Sequence, residues 1–169
     1  MKWPVRIVLV VVAAALLAVV LANGLASHFA SLPGADAASR ALTWNNRQPE
    51  ALARTAQTIE GTDPATAETI LERAVKARPI AAEPLTALAR LANQQQNAER
   101  ADQLIAQASA LEPANPDVLL AAGAHWAERG QPERAVELWS AAVTADPTKR
   151  EQVFPVFLAI AEDPNSRLL

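Results

Sequence analysis

A repeat of about 34 residues constrains the fold of this chain more than any other feature of its sequence. Ala135, Trp139 and Ala142 stand at helical spacing, after a turn that contains Gly130 and before Pro147. Residues of similar character stand one and two periods upstream, namely Ala101, Ile105, Ala108 and Pro113, and before them Ala67, Leu71, Ala74 and Pro79. Copies in phase predict one helical unit that is repeated and that packs on its neighbours.

A second helical pattern precedes each of these runs. The small residues Gly123 and Ala89 predict a close approach between the two helices of a pair, while larger residues fill the space between pairs. The first copy runs one residue out of step, which we interpret as a connection shortened by one residue around Gly61 to Pro64. The positions are Leu119, Ala122, Gly123 and Trp126 in the last copy, Leu85, Leu88, Ala89 and Ala92 in the middle copy, and Leu52, Ala56 and Ile59 in the first.

The combined pattern resembles the tetratricopeptide repeat family, whose signature is large-x-x-small-Gly-x-x-aromatic, then Ala-x-x-x-aromatic, then Pro. The resemblance is fullest at residues 116–149, good at 82–115 and weakest at 49–81. It implies helical hairpins stacked into a solenoid. A composition that is 51% hydrophobic but only 4% aromatic also suits closely packed helices.

An uninterrupted apolar run extends from Ile7 to Ala22 and continues in small residues to Ala26. About 20 residues suffice to cross a bilayer core of about 30 Å, so we expect one transmembrane helix. Gly24-Leu25-Ala26 also fits a signal peptidase site, and a cleaved signal peptide remains the alternative. Lys2 and Arg6 precede the run, so the positive-inside rule predicts a cytoplasmic N-terminus and periplasmic repeats in an inner-membrane protein.

The predicted fold class is therefore all-α, with an N-terminal transmembrane helix followed by a solenoid of tetratricopeptide-type hairpins. In the half-repeat that precedes the hairpins, Ala38, Ala41 and Trp44 are expected on one face. The expected organisation is a short cytoplasmic N-terminus at 1–6, the transmembrane helix at 7–26, a linker at 27–34, a half-repeat capping helix at 35–48, three repeats at 49–81, 82–115 and 116–149, and an incomplete fourth repeat or C-terminal capping helix at 150–169.

Residues that could carry chemistry are sparse. The chain has no cysteine, which excludes disulfides and thiolate sites. His28 and His125 stand far apart without metal-ligating neighbours, so a solvent-facing or hydrogen-bonded role is expected for each. Two carboxylate pairs at helical spacing are interpreted as solvated helix faces, namely Glu68 with Glu72 and Glu133 with Glu137. We expect neither an enzyme nor a cofactor or metal.

Net charge bears on the partners. Without Lys2 and Arg6, the 15 basic residues become 13 against 18 acidic ones. A chain with this balance does not attract phosphate backbones, so no nucleic acid is expected as a partner.

The family resemblance implies that the first helices of the repeats line a concave groove for peptides or partner proteins. Arg90 and Asn93 are expected to bond the backbone or carboxylate of an extended ligand, and Leu120 to accept an apolar side chain. The alternative is that these are ordinary exposed residues of a spacer. The groove positions are Glu83, Thr86, Arg90 and Asn93, then Asp117, Leu120, Ala124 and Ala127.

The C-terminal helix forms a second candidate surface. Four of its apolar residues are expected to face the preceding hairpin, namely Val153, Val156, Phe157 and Ile160. Phe154 and Leu158 do not fall on that face. They either fold back onto the third repeat or leave an apolar edge. That edge could dock a partner, the membrane surface or a second copy in a homo-oligomer.

The sequence thus predicts a membrane-anchored scaffold or adaptor that mediates protein–protein interaction in a cell-envelope assembly of the secretion, polysaccharide-export or cytochrome-maturation type. The alternative is a periplasmic peptide- or protein-binding module that signal cleavage releases. The partner itself is not specified.

Overall fold

The structure, a computed structural model, describes residues 3–32 and 34–155. Regular structure within these residues is helical, which confirms the predicted all-α class. The helices are α1 (Trp3–Ser31), α2 (Ala35–Trp44), α3 (Pro49–Ile59), α4 (Pro64–Ala77), α5 (Glu83–Gln94), α6 (Ala98–Leu111), α7 (Pro116–Glu128) and α8 (Pro132–Ala145). A short 3-10 helix, Pro147–Lys149, follows, and residues 150–155 are again helical.

Prolines start most of these helices. Pro49, Pro116 and Pro132 occupy the first helical position of α3, α7 and α8. Proline suits this position because its missing N–H would have no partner there and its fixed φ already matches a helix. These three prolines therefore mark where helices begin.

Short turns close the hairpins, and two of them use a left-handed residue. Gly130 has φ 71° after α7, and Gln96 takes the same role with φ 61° after α5. The N–H of the following residue then bonds back to the helix, from Gln131 to the Trp126 carbonyl at 2.9 Å and from Asn97 to the Ala92 carbonyl at 2.8 Å.

The expected short connection in the first repeat is not found. The turn between α3 and α4 covers residues 60–63, whereas the later turns cover 95–97 and 129–131. Helix α3 has 11 residues, compared with 12 in α5 and 13 in α7. The first connection is therefore one residue longer than the later ones, and the helix before it is shorter than its counterparts.

The chain divides into two compact units, Met1–Ala77 and Arg78–Leu169. In the first unit α2 packs on α1 and α3, and α3 pairs with α4. In the second, α5 pairs with α6, α7 pairs with α8, and α7 also packs on α5 and α6. Each pair is a helical hairpin of the tetratricopeptide type.

The positions that define the repeat are buried. Alanine at the small positions is fully enclosed, as at Ala67, Ala101 and Ala135. Four places after each of these alanines stands a larger residue that packs inside the hairpin. These residues are Leu71, Ile105 and Trp139, and each is at most 4% exposed. Because the three second helices bury equivalent residues, the 34-residue period is confirmed as the period of the fold.

The start of the first unit differs from the sequence expectation in two places. Helix α1 continues to Ser31, so residues 27–31 are helical although a linker was expected there. The reason is packing, since Ala30 joins a buried cluster with Ala38, Ala41 and Ala51. Trp44 does not join Ala38 and Ala41 in that cluster, because its side chain is 50% exposed.

Candidate functional site

The predicted groove residues fall on α5 and α7, two helices that pack against each other in the second unit. Glu83 and Arg90 are exposed on α5, and Asp117 and Ala124 are exposed on α7. Thr86 is half-buried, and its Oγ1 donates to the Glu83 carbonyl at 2.8 Å. The exposed groove residues named here are therefore polar except for Ala124.

Asn93 is already engaged within the fold. Its Nδ2 lies 3.0 Å from His125 Nδ1 and donates to Glu128 Oε2 at 2.9 Å. The amide has two N–H groups, so these two contacts use both. The expected donation from Asn93 to a ligand would require one of them to break, although its Oδ1 can still accept.

His125 is buried at 4% exposure, and both of its ring nitrogens have protein partners. Nδ1 accepts from Asn93, so the ring proton lies on Nε2 and donates to Asp102 Oδ1 at 2.8 Å. Arg129 Nη2 then bonds the other Asp102 oxygen at 3.3 Å. A histidine with both ring nitrogens in such contacts is held in place by α5 and α6.

This polar cluster joins three helices, and sequence reasoning did not assemble it. His125 was expected to be solvent-facing or hydrogen-bonded, and the second alternative is the one observed. Asp102 carried no signal, because its partner is 23 residues away on another helix. Among the residues that the structure describes, no group of three histidines, aspartates or glutamates is arranged to hold a metal ion.

The apolar half of the predicted groove is tied to the core beneath it. Leu120 and Ala127 pack against the buried cluster of Ala135, Trp139 and Val153. Trp139 Nε1 donates to the Leu120 carbonyl at 3.2 Å, which fixes this part of α7 on α8. Only the outer part of the Leu120 side chain remains available to a ligand.

Asp117, at the start of α7, accepts a hydrogen bond from Lys149 Nζ at 2.6 Å. This bond raises the pKa of Lys149 above its ordinary value. The Asp117 side chain is 73% exposed, so water screens the pair and it contributes little to stability. The bond does link the start of α7 to the end of the 3-10 helix that follows α8.

Only part of the candidate C-terminal edge lies within the residues that the structure describes. Phe154 is 57% exposed and borders a cavity of about 460 Å³ that Ser140, Val143, Arg150 and Val153 also line. Val153 is buried against Trp139, as expected for the side that faces the preceding hairpin. Leu158, Val156, Phe157 and Ile160 lie outside the described residues.

Within the described residues, the stretch of α1 from Ile7 to Leu21 is exposed. The large apolar side chains from Ile7 to Leu21 are between 50% and 68% exposed, whereas Ala26 and Ala30 are buried. The segment Ile7–Ser31 is long and apolar enough to cross a membrane. Length and apolarity of this kind are also found in signal sequences.

These features define an all-α protein of tetratricopeptide-type hairpins that carries an apolar N-terminal helix. No known protein family and no curated protein matches the chain. Solved structures of MamA are similar to it at 14% identity. One has a TM-score of 0.49, with 69% of each chain covered. Another has a TM-score of 0.47, with 69% of this chain and 64% of that one covered. We draw no inference about function from either.

Proposed function

We propose that the chain is a membrane-anchored scaffold that holds a protein partner through the α5–α7 face of its second unit. Helix α1 is the anchor, and the hairpins are the interaction domain. The observation that carries the proposal is the contrast along α1, where the apolar side chains before Asn23 are exposed and those of Ala26 and Ala30 are buried. An exposed apolar surface of this size is unfavourable in water and favourable in lipid.

The packing of α1 favours an anchor over a cleaved signal peptide. Asn23 Oδ1 accepts from Asn45 Nδ2 at 2.8 Å, and Ala26 is fully buried. Cleavage after Ala26 would remove both residues from the first unit. We therefore infer that α1 is retained, and that the released binding module is the weaker alternative.

Orientation and compartment follow from the flanking charges. Lys2 and Arg6 hold the N-terminus in the cytoplasm, so the hairpins lie in the periplasm of an inner-membrane protein. A small repeat domain in that location would join components of an envelope assembly. Secretion, polysaccharide export and cytochrome maturation are the processes that such a scaffold fits.

The binding face combines polar groups with a shallow apolar surface. Arg90 carries a guanidinium, a group that bonds backbone carbonyls and carboxylates, and the small exposed residue Ala124 on α7 leaves room for an apolar side chain. Glu83 and Asp117 supply negative charge at the same face. An extended peptide segment of a partner protein, with mixed charge, suits this arrangement.

Photo-crosslinking in intact cells tests the groove. We expect a photoreactive residue at exposed Ala124 to capture a partner, and the same residue at exposed Ala141 of α8 to capture none. Arg90→Ala should reduce the Ala124 product on the order of tenfold, because a charge-assisted hydrogen bond is lost. Asn93 is left unchanged, since it holds His125. Equal products from Ala124 and Ala141, or a yield that Arg90→Ala does not lower, would contradict the proposal.

The C-terminal edge is a second candidate for docking, because Phe154 is exposed beside an apolar cavity with Arg150 at its border. We propose that it takes an apolar segment of the partner that carries an acidic residue. Phe154→Ser should then lower capture from a photoreactive residue at Ser140 while leaving the Ala124 product unchanged. Capture of a second copy of the chain at Ser140 would assign the edge to self-association instead.

A further inference from the structure

A basic pocket lies in the first unit, whereas both candidate protein surfaces belong to the second. It has a volume of about 580 Å³. No carboxylate is among the described residues that line it, which are Asn46, Arg47, Leu52, Arg73, Lys76 and Ala77. Arg47, Arg73 and Lys76 are all exposed. Three cations around one pocket are notable in a chain whose net charge is −3.

Two hydrogen bonds show which part of α1 lies level with this pocket. Asn45, at the end of α2, bonds Asn23 of α1 at 2.8 Å, so the turn after α2 is level with Asn23. Arg73 Nη2 donates to the Asn46 carbonyl at 3.2 Å, which brings the last turn of α4 to the same level. The pocket therefore lies at the end of the first unit from which the exposed half of α1 projects.

That level coincides with the end of the apolar run. The run finishes at Ala22, directly before Asn23. Trp44, at the end of α2, is 50% exposed at the same height. Tryptophan is enriched where a protein crosses the membrane–water interface, because its ring is apolar and its N–H is polar. The exposed position of Trp44, which the repeat pattern does not explain, is the one that an interface would favour.

We propose that this basic pocket binds the phosphate of an anionic lipid headgroup at the membrane surface. The inference rests on the proposal that α1 spans the bilayer. Arg47 and Lys76 supply charge, and Arg73 supplies charge while it holds the turn. A guanidinium can bond two phosphate oxygens at once, and an ammonium adds a compact positive charge. Bound lipid would hold the first unit against the membrane surface.

Glu50 is near the pocket in sequence and is not among the described residues that line it. Its Oε2 accepts from Gln48 Nε2 at 2.9 Å at the start of α3. Leu52 forms an apolar part of the pocket lining and is itself buried in the α3 core. The charged part of the described pocket lining is therefore cationic, which suits a phosphate group.

Native mass spectrometry of the full-length chain in nanodiscs tests the proposal. The discs hold either phosphatidylcholine alone or an equal mixture of phosphatidylcholine and phosphatidylglycerol with matched acyl chains. We expect the wild type to enter both and to retain phosphatidylglycerol selectively from the mixture. Arg47→Gln with Lys76→Gln should reduce that retention on the order of tenfold. Arg73 stays in place because it bonds the Asn46 carbonyl.

Two control variants separate a specific pocket from general charge. Arg100→Gln with Arg134→Gln removes the same charge from the second unit and should leave retention unchanged. Arg47→Lys with Lys76→Arg keeps the charge and should retain the lipid. Equal loss in the second-unit control, or no preference for phosphatidylglycerol in the wild type, would overturn the pocket while leaving the anchor in place.

Two further results would also overturn the assignment. Inorganic phosphate at millimolar concentration that displaces phosphatidylglycerol completely would make the pocket a site for a soluble anion. A chain that enters neither kind of nanodisc would refute the anchor, and the lipid site with it. Helix content by circular dichroism shows that each variant remains folded.

Discussion

The contact between Gly123 and Trp139 shows how a single residue sets the geometry of a hairpin. A Cβ added to Gly123 would overlap the indole ring of Trp139. The absence of that Cβ lets the indole lie across α7 and bond the Leu120 carbonyl. One period earlier the same two positions hold Ala89 and Ile105, a smaller pair that packs in its own buried cluster. In the last repeat a smaller residue on the first helix is thus matched by a larger residue on the second, compared with the middle repeat.

Gly123→Ala should lower the free energy of unfolding by about 1–3 kcal/mol, because the added methyl group overpacks the hairpin. Adding Trp139→Ile should recover part of that loss, since the pair then matches Ala89 and Ile105. Gly61→Ala is the matched control, because nothing lies within 4 Å of its added Cβ. Thermal unfolding of the full-length chain in mild detergent measures all three. A loss in Gly61→Ala as large as in Gly123→Ala would contradict this reasoning.

At the scale of the helices, neighbouring elements satisfy each other's backbone groups. Ala82 precedes α5 and has no side chain that could cap the helix, and its N–H donates to Glu112 Oε1 at 2.9 Å. Glu112 ends α6, so this bond joins the end of one helix to the start of its partner. The bond from Ala82, with a second from Asn115, holds the pKa of Glu112 below its ordinary value.

This shift predicts an acid-dependent contribution to stability. A carboxyl whose pKa is lowered on folding stabilises the fold above its unfolded pKa, about 4.3 for glutamate, and loses that contribution as the pH falls through the folded value. Glu112→Ala should cost about 1 kcal/mol at pH 7, a figure that allows for solvent screening. The difference from wild type should shrink below about pH 4. Thermal unfolding at pH 7, 5 and 3.5 tests this, and a difference that does not change with pH would be inconsistent with it.

Helix positions were largely predictable, and cross-helix contacts were not. The prolines before α3, α7 and α8 and the alanines of the second helices carry local signals that periodicity detects. The cluster of Asn93, Asp102 and His125 depends on three helices meeting, which no local pattern reports. The end of α1 was misplaced for the same reason, because Ala30 remains helical through its packing on α2.

At the scale of the whole molecule, the chain combines an exposed apolar helix with hairpins whose own cores are buried. Asn23 and Ala26 connect the two parts, since both belong to α1 and both contact the first unit. In the account proposed above, the anchor is therefore continuous with the folded unit. A scaffold that must stay at a membrane would need this continuity.

The central claim is that α1 is retained and lies in the bilayer. Its most direct test is the intact mass of the natively expressed chain, read from the membrane fraction after an alkaline carbonate wash. We predict that the chain stays in the washed membranes with residues 1–26 present. A soluble chain whose mass lacks those residues would contradict the anchor and identify the protein as a released binding module.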